Sequence, residues 1–201
     1  MELRVLIVEG NTREGREGYA ESYGVTPAEA YARVVRWIAP DAACDIVHPA
    51  DAGAALPGSA ALESYDAVVL TGSALHVYHG GPAVTRQIEL MRAVYRSGVP
   101  AFGSCWGLQI GAAAAGGTVA RNPAGREIGF ARNIAPTQAG RTHPLLAGRP
   151  AAFDAPAIHL DVVTVAPQRC SILAQNGLTE IQAAEIMHEG GTFWGVQYHP
   201  E

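Results

Sequence analysis

Cys105 stands in the stretch "FGSCWGLQ" with Gly103 and Gly107 two positions away on either side, and the stretch "WGVQYHPE" carries His199 and Glu201 two positions apart. A thiol, an imidazole and a carboxylate are the parts of a covalent acyl-transfer site. The sulfur attacks a carbonyl carbon, the ring moves protons, and the carboxylate holds the ring in one orientation and tautomer. In an extended "YHPE" the side chains of His199 and Glu201 face the same side, and Pro200 biases the residue before it toward that geometry. A surface histidine and glutamate on an open strand end fit the same tripeptide, so the pair gains meaning only beside the cysteine.

The elements around Cys105 supply that context. "VPAFG" reads as a buried strand and "WGLQIGAAAAG" as a helix, so Cys105 falls on an abrupt strand-to-helix turn. Such a turn crowds its neighbours, and glycines at 103 and 107 remove the side chains that would collide. This is the logic of a nucleophile elbow with cysteine in the serine position of GxSxG. It lifts the sulfur above the carboxyl ends of the strands, with a helix N-terminus favouring a thiolate beneath it. The backbone N–H of Trp106 then points to where an oxyanion forms. Glycines easing a tight turn around an inert cysteine also fit the pentapeptide.

The remaining chain builds the frame. "LRVLIVEG" (Leu3 to Gly10) is a nearly continuous apolar run, as in a central parallel strand covered on both faces. The polar stretch from Asn11 to Gly24 reads as a loop, with Arg13, Arg16 and Tyr19 either near the strand ends or solvated. Thr26, Pro27 and Glu29 spell a capped helix start, and the helix runs to about Ile38. "CDIVHP" and "YDAVVLTGS" (Tyr65 to Ser73) supply further strands. "PAVTRQIELMRAVYRS" has an apolar face of Val84, Ile88, Met91, Ala93, Val94 and Tyr95 and stops at Gly98. Beyond Gly117, "TVARN", "REIGFARNIAP", "DVVTVAP", "SILAQNG", "IQAAEIMHEGG" and "TFWGVQYHP" are short strand-like pieces. The pattern predicts one α/β domain over residues 1–201: an open, mostly parallel sheet with helices on both faces, a flavodoxin-like core, and a small antiparallel or mixed extension.

Bulk properties exclude several classes. The 201 residues are 48% hydrophobic and 16% charged, with no apolar run near the length of a spanning helix. Nothing in "MELRVLIVEG" resembles a signal peptide, so the cytoplasm is the expected location. A net charge of -5 with scattered arginines calls for no nucleic-acid groove and no membrane surface. The three cysteines, Cys44, Cys105 and Cys170, form no CxxC pair and no disulfide framework. The histidines lack metal-site spacing, so neither metal nor organic cofactor is called for.

"GSCWGLQ" together with "GVQYHPE" resembles the class I, triad-type glutamine amidotransferase family, which includes the glutaminase domains of GMP synthase, anthranilate synthase and carbamoyl-phosphate synthetase. "VVLTGSALHVYH" is similar to the family's oxyanion-loop region, and "GREIGFARN" and "THPLLAG" resemble segments of GMP-synthase-like members. The resemblance implies Cys105 as nucleophile, His199 as general base and acid, and Glu201 as its carboxylate. It implies the N–H groups of Ser73 and Trp106 as the oxyanion hole, and Gly72, Gln109, His159 and Asp161 as substrate-binding positions. The family's usual paired glycines are Gly72-Ser73 here, and its Ser-His-x-Asp segment is Ile158-His159-Leu160-Asp161. The implied reaction is hydrolysis of the side-chain amide of L-glutamine through a cysteinyl thioester. There is no SGGxDS-like or GxxxxGK[ST] loop, so ammonia would pass to a separate synthase subunit. The alternatives are a stand-alone γ-glutamyl amide hydrolase, with His76, Tyr78 and His79 as further substrate-contact candidates, and a catalytically silent binding homologue.

Overall fold

The computed structural model describes residues 3–201; Met1 and Glu2, which the sequence runs into the first strand, lie outside the described residues. Strand β1 (Arg4–Val8) leads into helices α1 (Arg13–Tyr23) and α2 (Pro27–Ile38). Strand β2 (Ala43–Val47), the single turn α3 (Ser59–Leu62) and strand β3 (Ala67–Leu70) follow. Helix α4 (Pro82–Ser97), strand β4 (Ala101–Ser104) and helix α5 (Trp106–Ala114) complete the alternating half. The rest is β5 (Thr118–Arg121), β6 (Glu127–Pro136), β7 (Phe153–His159), β8 (Asp161–Val165), β9 (Cys170–Gln175), β10 (Ala183–His188) and β11 (Gly191–Val196).

Nine strands form one sheet in the order β2-β1-β3-β4-β11-β10-β9-β6-β7, and β5 pairs with β8 in a second, small sheet. From β2 to β11 every pairing is parallel; from β11 to β7 every pairing is antiparallel. The chain therefore has the mostly parallel α/β core and the antiparallel extension that its sequence pattern predicts.

Alternation along β1 shows why both faces are apolar. Leu6 and Val8 pack with α4 and α5, while Val5 and Ile7 pack with Ala28, Tyr31 and Ala32 of α2. The same alternation on β4 puts Ala101 and Gly103 toward α5 and turns Ser104 to the α2 face, where it meets Tyr31. Helix α2 begins as its sequence announces: Thr26 and Glu29 form a reciprocal capping box with Pro27 in the first turn. Gly98, at φ 73°, closes α4.

The expected loop at Asn11 to Gly24 is instead mostly helix α1, which buries none of its side chains. Thr12 caps it by accepting from the Gly15 N–H, and Gly24 closes it in the left-handed conformation at φ 77°. Arg16 ties it to Asp51 through an ion pair of 2.6 Å. Caps and a tether outweigh the cost of about 1 kcal/mol that each internal glycine imposes on a helix. Strand β7, which contains Pro156, and turn α3 are further elements outside the sequence reading. Proline fits β7 because it is an edge strand. Among the described residues no helix is long and apolar enough to cross a membrane.

Candidate active site

Four parallel strands end beside one another, and each delivers part of the site at its carboxyl end. β1 leads to Asn11, β3 to Gly72 and Ser73, β4 to Cys105, and β11 to His199 and Glu201. This is the edge at which open α/β sheets bind ligands.

Cys105 sits between β4 and α5 with φ 50° and ψ -105°, a backbone state that few side chains adopt. Holding it costs about 1–3 kcal/mol. Two hydrogen bonds fix it: its N–H donates to the carbonyl of Val196 at 2.8 Å, and its own carbonyl accepts from the Gln109 N–H at 3.2 Å. Both flanking glycines are needed for space. A Cβ on Gly103 would lie 2.7 Å from the carbonyl carbon of Gly107, and one on Gly107 would lie 2.7 Å from the carbonyl oxygen of Leu70. Next to the cysteine, the buried Trp106 is anchored by its indole N–H to Gln87 at 2.8 Å, and the Gln87 amide donates to the Gly10 carbonyl at 3.1 Å.

His199 is placed by its N–H, which donates to the Pro156 carbonyl of β7 at 2.8 Å. Its Nδ1 lies 2.8 Å from Oε1 of Glu201, which also accepts from the Ser104 hydroxyl at 3.1 Å. The Ser104 hydroxyl in turn meets the buried hydroxyl of Tyr31. Burial alone would lower the pKa of His199. Hydrogen bonding to Cys105 and Glu201, together with their negative charge, overrides burial and pushes it up to about 10. Its Nε2 is buried without a partner of standard hydrogen-bond geometry among the described residues. The Cys105 sulfur lies beside the ring, with Sγ 3.9 Å from the Ile158 carbonyl.

In the loop after β3 the Gly72 carbonyl accepts from the Thr71 hydroxyl at 3.0 Å and from Nδ2 of Asn11 at 3.3 Å. Asn11 Oδ1 accepts from the Ala74 N–H at 3.1 Å. Neither Gly72 nor Ser73 has a positive φ, so serine takes the second position without backbone strain. Space at Gly72 is tight, because a Cβ there would lie 3.1 Å from Cε1 of His199. The N–H groups of Ser73 and Trp106 donate no hydrogen bond among the described residues.

Cys105, His199, Glu201, Gly72, Ser73, Gln109, His159 and Asp161 all line one cavity of about 510 Å³. The last three are held by other residues. Gln109 donates to the Asp161 carbonyl at 3.0 Å. Asp161 meets Nδ1 of His76 at 2.5 Å and accepts from the Tyr78 hydroxyl at 3.2 Å. His159 meets Glu127 at 2.9 Å with both side chains 1% exposed. Burial would raise the Glu127 carboxyl, but hydrogen bonds from His159, Asn176 and Thr179 hold it below the usual range. His79 meets His76 edge-on, with ring centres 4.8 Å apart.

Of the stretch after β1, Tyr19 reaches the cavity, whereas Arg13 and Arg16 attach to Asp51 on another face. Sequence reasoning missed Asn11, Tyr31, Ser104 and Arg126. The first three act through contacts between distant segments; the one local signal is the polar residue after the apolar run at Asn11 and the one directly before the elbow cysteine at Ser104, and Tyr31, inside α2, has none. Cys44 and Cys170 are free, partly buried thiols away from the cavity. A thiol, an imidazole and a carboxylate in series are the parts from which an acyl-transfer site is built.

An open α/β sheet with an elbow cysteine at its carboxyl edge defines a class of thiol-bearing α/β proteins. Residues 28–201 match the family model "Glutamine amidotransferase class-I", and the chain belongs to that family. It is 37% identical over 99% of its length, and 68% of the relative's, to a gamma-glutamyl-L-1-hydroxyisopropylamide hydrolase of a Pseudomonas species. It is 34% identical over 61% of its length, and 64% of the relative's, to a subunit of the glutamine-hydrolyzing GMP synthase of Methanothrix thermoacetophila. Among full-length GMP synthases it spans only about a quarter of the relative, 25% in that of Thiobacillus denitrificans. The fold matches the crystal structure of a GMP-synthase-subunit-like protein from Thermoplasma acidophilum, with TM-score 0.72, 18% identity, and coverage of 100% of this chain and 85% of that one.

Proposed function

We propose that this protein is a cysteine-dependent γ-glutamyl amide hydrolase. The observation that carries the reading is the series Cys105–His199–Glu201 at the carboxyl edge of the sheet, with the elbow φ of 50° at Cys105 and the 2.8 Å contact between His199 and Glu201. The Cys105 thiolate attacks the side-chain amide carbon of a γ-glutamyl amide, and the N–H groups of Ser73 and Trp106 receive the oxyanion. The protonated His199 gives its proton to the leaving nitrogen as the C–N bond breaks, leaving a glutamyl thioester. His199, now neutral, takes a proton from water. The hydroxide displaces the sulfur, so glutamate leaves and the thiolate–imidazolium pair is restored. The 37% identical relative carries an N-substituted γ-glutamyl amide in its name, which supports hydrolysis in its own right over service to a synthase.

A second reading keeps the same chemistry and passes ammonia from L-glutamine to a separate synthase. The likeness to the Methanothrix GMP synthase subunit favours it. One pair of experiments tests both readings. Wild type and Cys105→Ala are assayed on glutamine and on an N-alkyl γ-glutamyl amide, and a diazo-ketone glutamine analogue is mapped by peptide mass. The proposal expects turnover only in wild type, with the label on Cys105 and not on Cys44 or Cys170. Equal activity in the variant overturns it. Co-purification with a synthase that stimulates glutamine turnover selects the second reading.

A further inference from the structure

The cavity has both polar and apolar lining. Gln109, Arg126, His159 and Asp161 are among the polar lining residues, which suit the charged α-amino and α-carboxylate groups of a glutamyl unit. Helices α1 and α2 contribute Gly15, Tyr19, Pro27, Ala30 and Tyr31 to the lining and no charged side chain. Pro27, Ala30 and Tyr31 fall on one face of α2 at helical spacing. The hydroxyl of Tyr31 is engaged with Ser104, so the free apolar surface is Tyr19, Pro27 and Ala30.

This wall shares the cavity with the reacting groups: Tyr19, Pro27 and Ala30 line it together with Cys105 and His199. His199 must reach the departing nitrogen with Nε2, because Nδ1 is held by Glu201. Glu201 joins the wall through Ser104 and Tyr31. Tyr19 and Glu201 line the same cavity. The match to the family begins at residue 28, so α1 and the turn into α2 lie outside it. Ammonia is small and polar and gains nothing from an apolar wall, whereas an alkyl group on the amide nitrogen would be removed from water there.

We infer that Tyr19, Pro27 and Ala30 form a leaving-amine subsite that makes the enzyme selective for γ-glutamyl amides of short alkyl amines over glutamine. The inference rests on the hydrolase reading above. It assigns no new chemical step: the amine departs with the proton from His199, as ammonia would.

The test is kcat/KM for glutamine and for γ-glutamyl methylamide, ethylamide and isopropylamide, in wild type, Tyr19→Ala and Ala30→Phe. Each added carbon in an apolar subsite is worth about tenfold or more. In wild type, kcat/KM rises along the series and the isopropylamide exceeds glutamine at least tenfold. Tyr19→Ala lowers the isopropylamide-to-glutamine ratio about tenfold by removing the wall, and Ala30→Phe lowers it by filling the space. Both changes lie on the helical surface, and thermal melting shows whether each variant is folded. A wild-type ratio of one or less, with glutamine still cleaved, overturns the subsite and leaves the hydrolase reading standing. A ratio untouched in both folded variants likewise assigns selectivity elsewhere and overturns it. Failure to cleave any of the four amides instead removes the hydrolase reading.

Discussion

Asn11 fixes the peptide plane of Gly72: its Nδ2 donates to the Gly72 carbonyl at 3.3 Å while its Oδ1 accepts from the Ala74 N–H at 3.1 Å. A peptide is planar and trans, so holding the Gly72 carbonyl on one side directs the Ser73 N–H to the other. Asn11 is itself held, since its N–H and its amide both donate to the buried Glu9 at 3.0 Å. Thr71 adds a second donor on the same carbonyl. The family's flexible glycine pair is replaced here by a serine in a clamped loop.

Asn11→Ala should therefore act on the transition state. Losing a well-aimed oxyanion donor costs about 100-fold or more in kcat, and loosening one costs about 10- to 100-fold. KM should change by about twofold or less, and the melting temperature only slightly, because Glu9 keeps the Thr71 and Ala28 contacts. Steady-state kinetics beside thermal melting checks this. A loss seen only in KM, or only in melting temperature, would assign Asn11 a different role.

Tyr31 and Ser104 set the position of Glu201. The carboxylate sits at an open edge, and its side chain is 17% exposed, so His199 alone is a weak hold on it. The Ser104 hydroxyl supplies a second contact, and Tyr31, from α2, fixes that hydroxyl. Burial first, then the charge of Glu201, holds the Tyr31 phenol well above its ordinary pKa, so it stays protonated and donates. Ser104→Ala and Tyr31→Phe should each lower kcat about 3- to 10-fold and move the pH profile, because Glu201 then supports a charged His199 less well. The double variant should cost little more than Ser104→Ala, since both act through one contact. Additive losses, or an unchanged pH profile, would make Tyr31 a packing residue only.

The sequence made some parts of this arrangement legible and hid others for physical reasons. Cys105, His199 and Glu201 could be read because their roles depend on neighbours within two positions: glycines that must be absent of side chain, and a proline that keeps the strand extended. The α2 start was readable for the same reason, since a capping box is a four-residue device. Asn11 and Tyr31 were hidden because their partners lie 61 to 73 positions away. Helix α1 was missed because it has no apolar face to read; a cap at each end and one ion pair to Asp51 hold it. Strand β7 was missed because proline argues against strands in general, yet its carbonyl at Pro156 is the acceptor that positions His199.

The raised pKa of His199 yields a sign as well as a size. Burial lowers it, and hydrogen bonding and charge from Cys105 and Glu201 raise it from 6.5 to about 10. The folded protein therefore keeps a proton on His199 that the unfolded chain releases above pH 6.5. Its contribution to stability is complete below pH 6.5 and is lost as pH rises through about 10. The wild type should lose melting temperature over that window, and His199→Asn should lose less. Because Cys105 is the largest of the raising causes, Cys105→Ser should bring the titration of His199 back toward neutrality, while the ring stays bonded to Glu201. NMR titration of the His199 ring in both proteins measures this directly. An equal pKa in the two would mean that the sulfur does not share charge with the imidazole. The thiolate–imidazolium pair on which the acylation step depends would then be absent from the resting site.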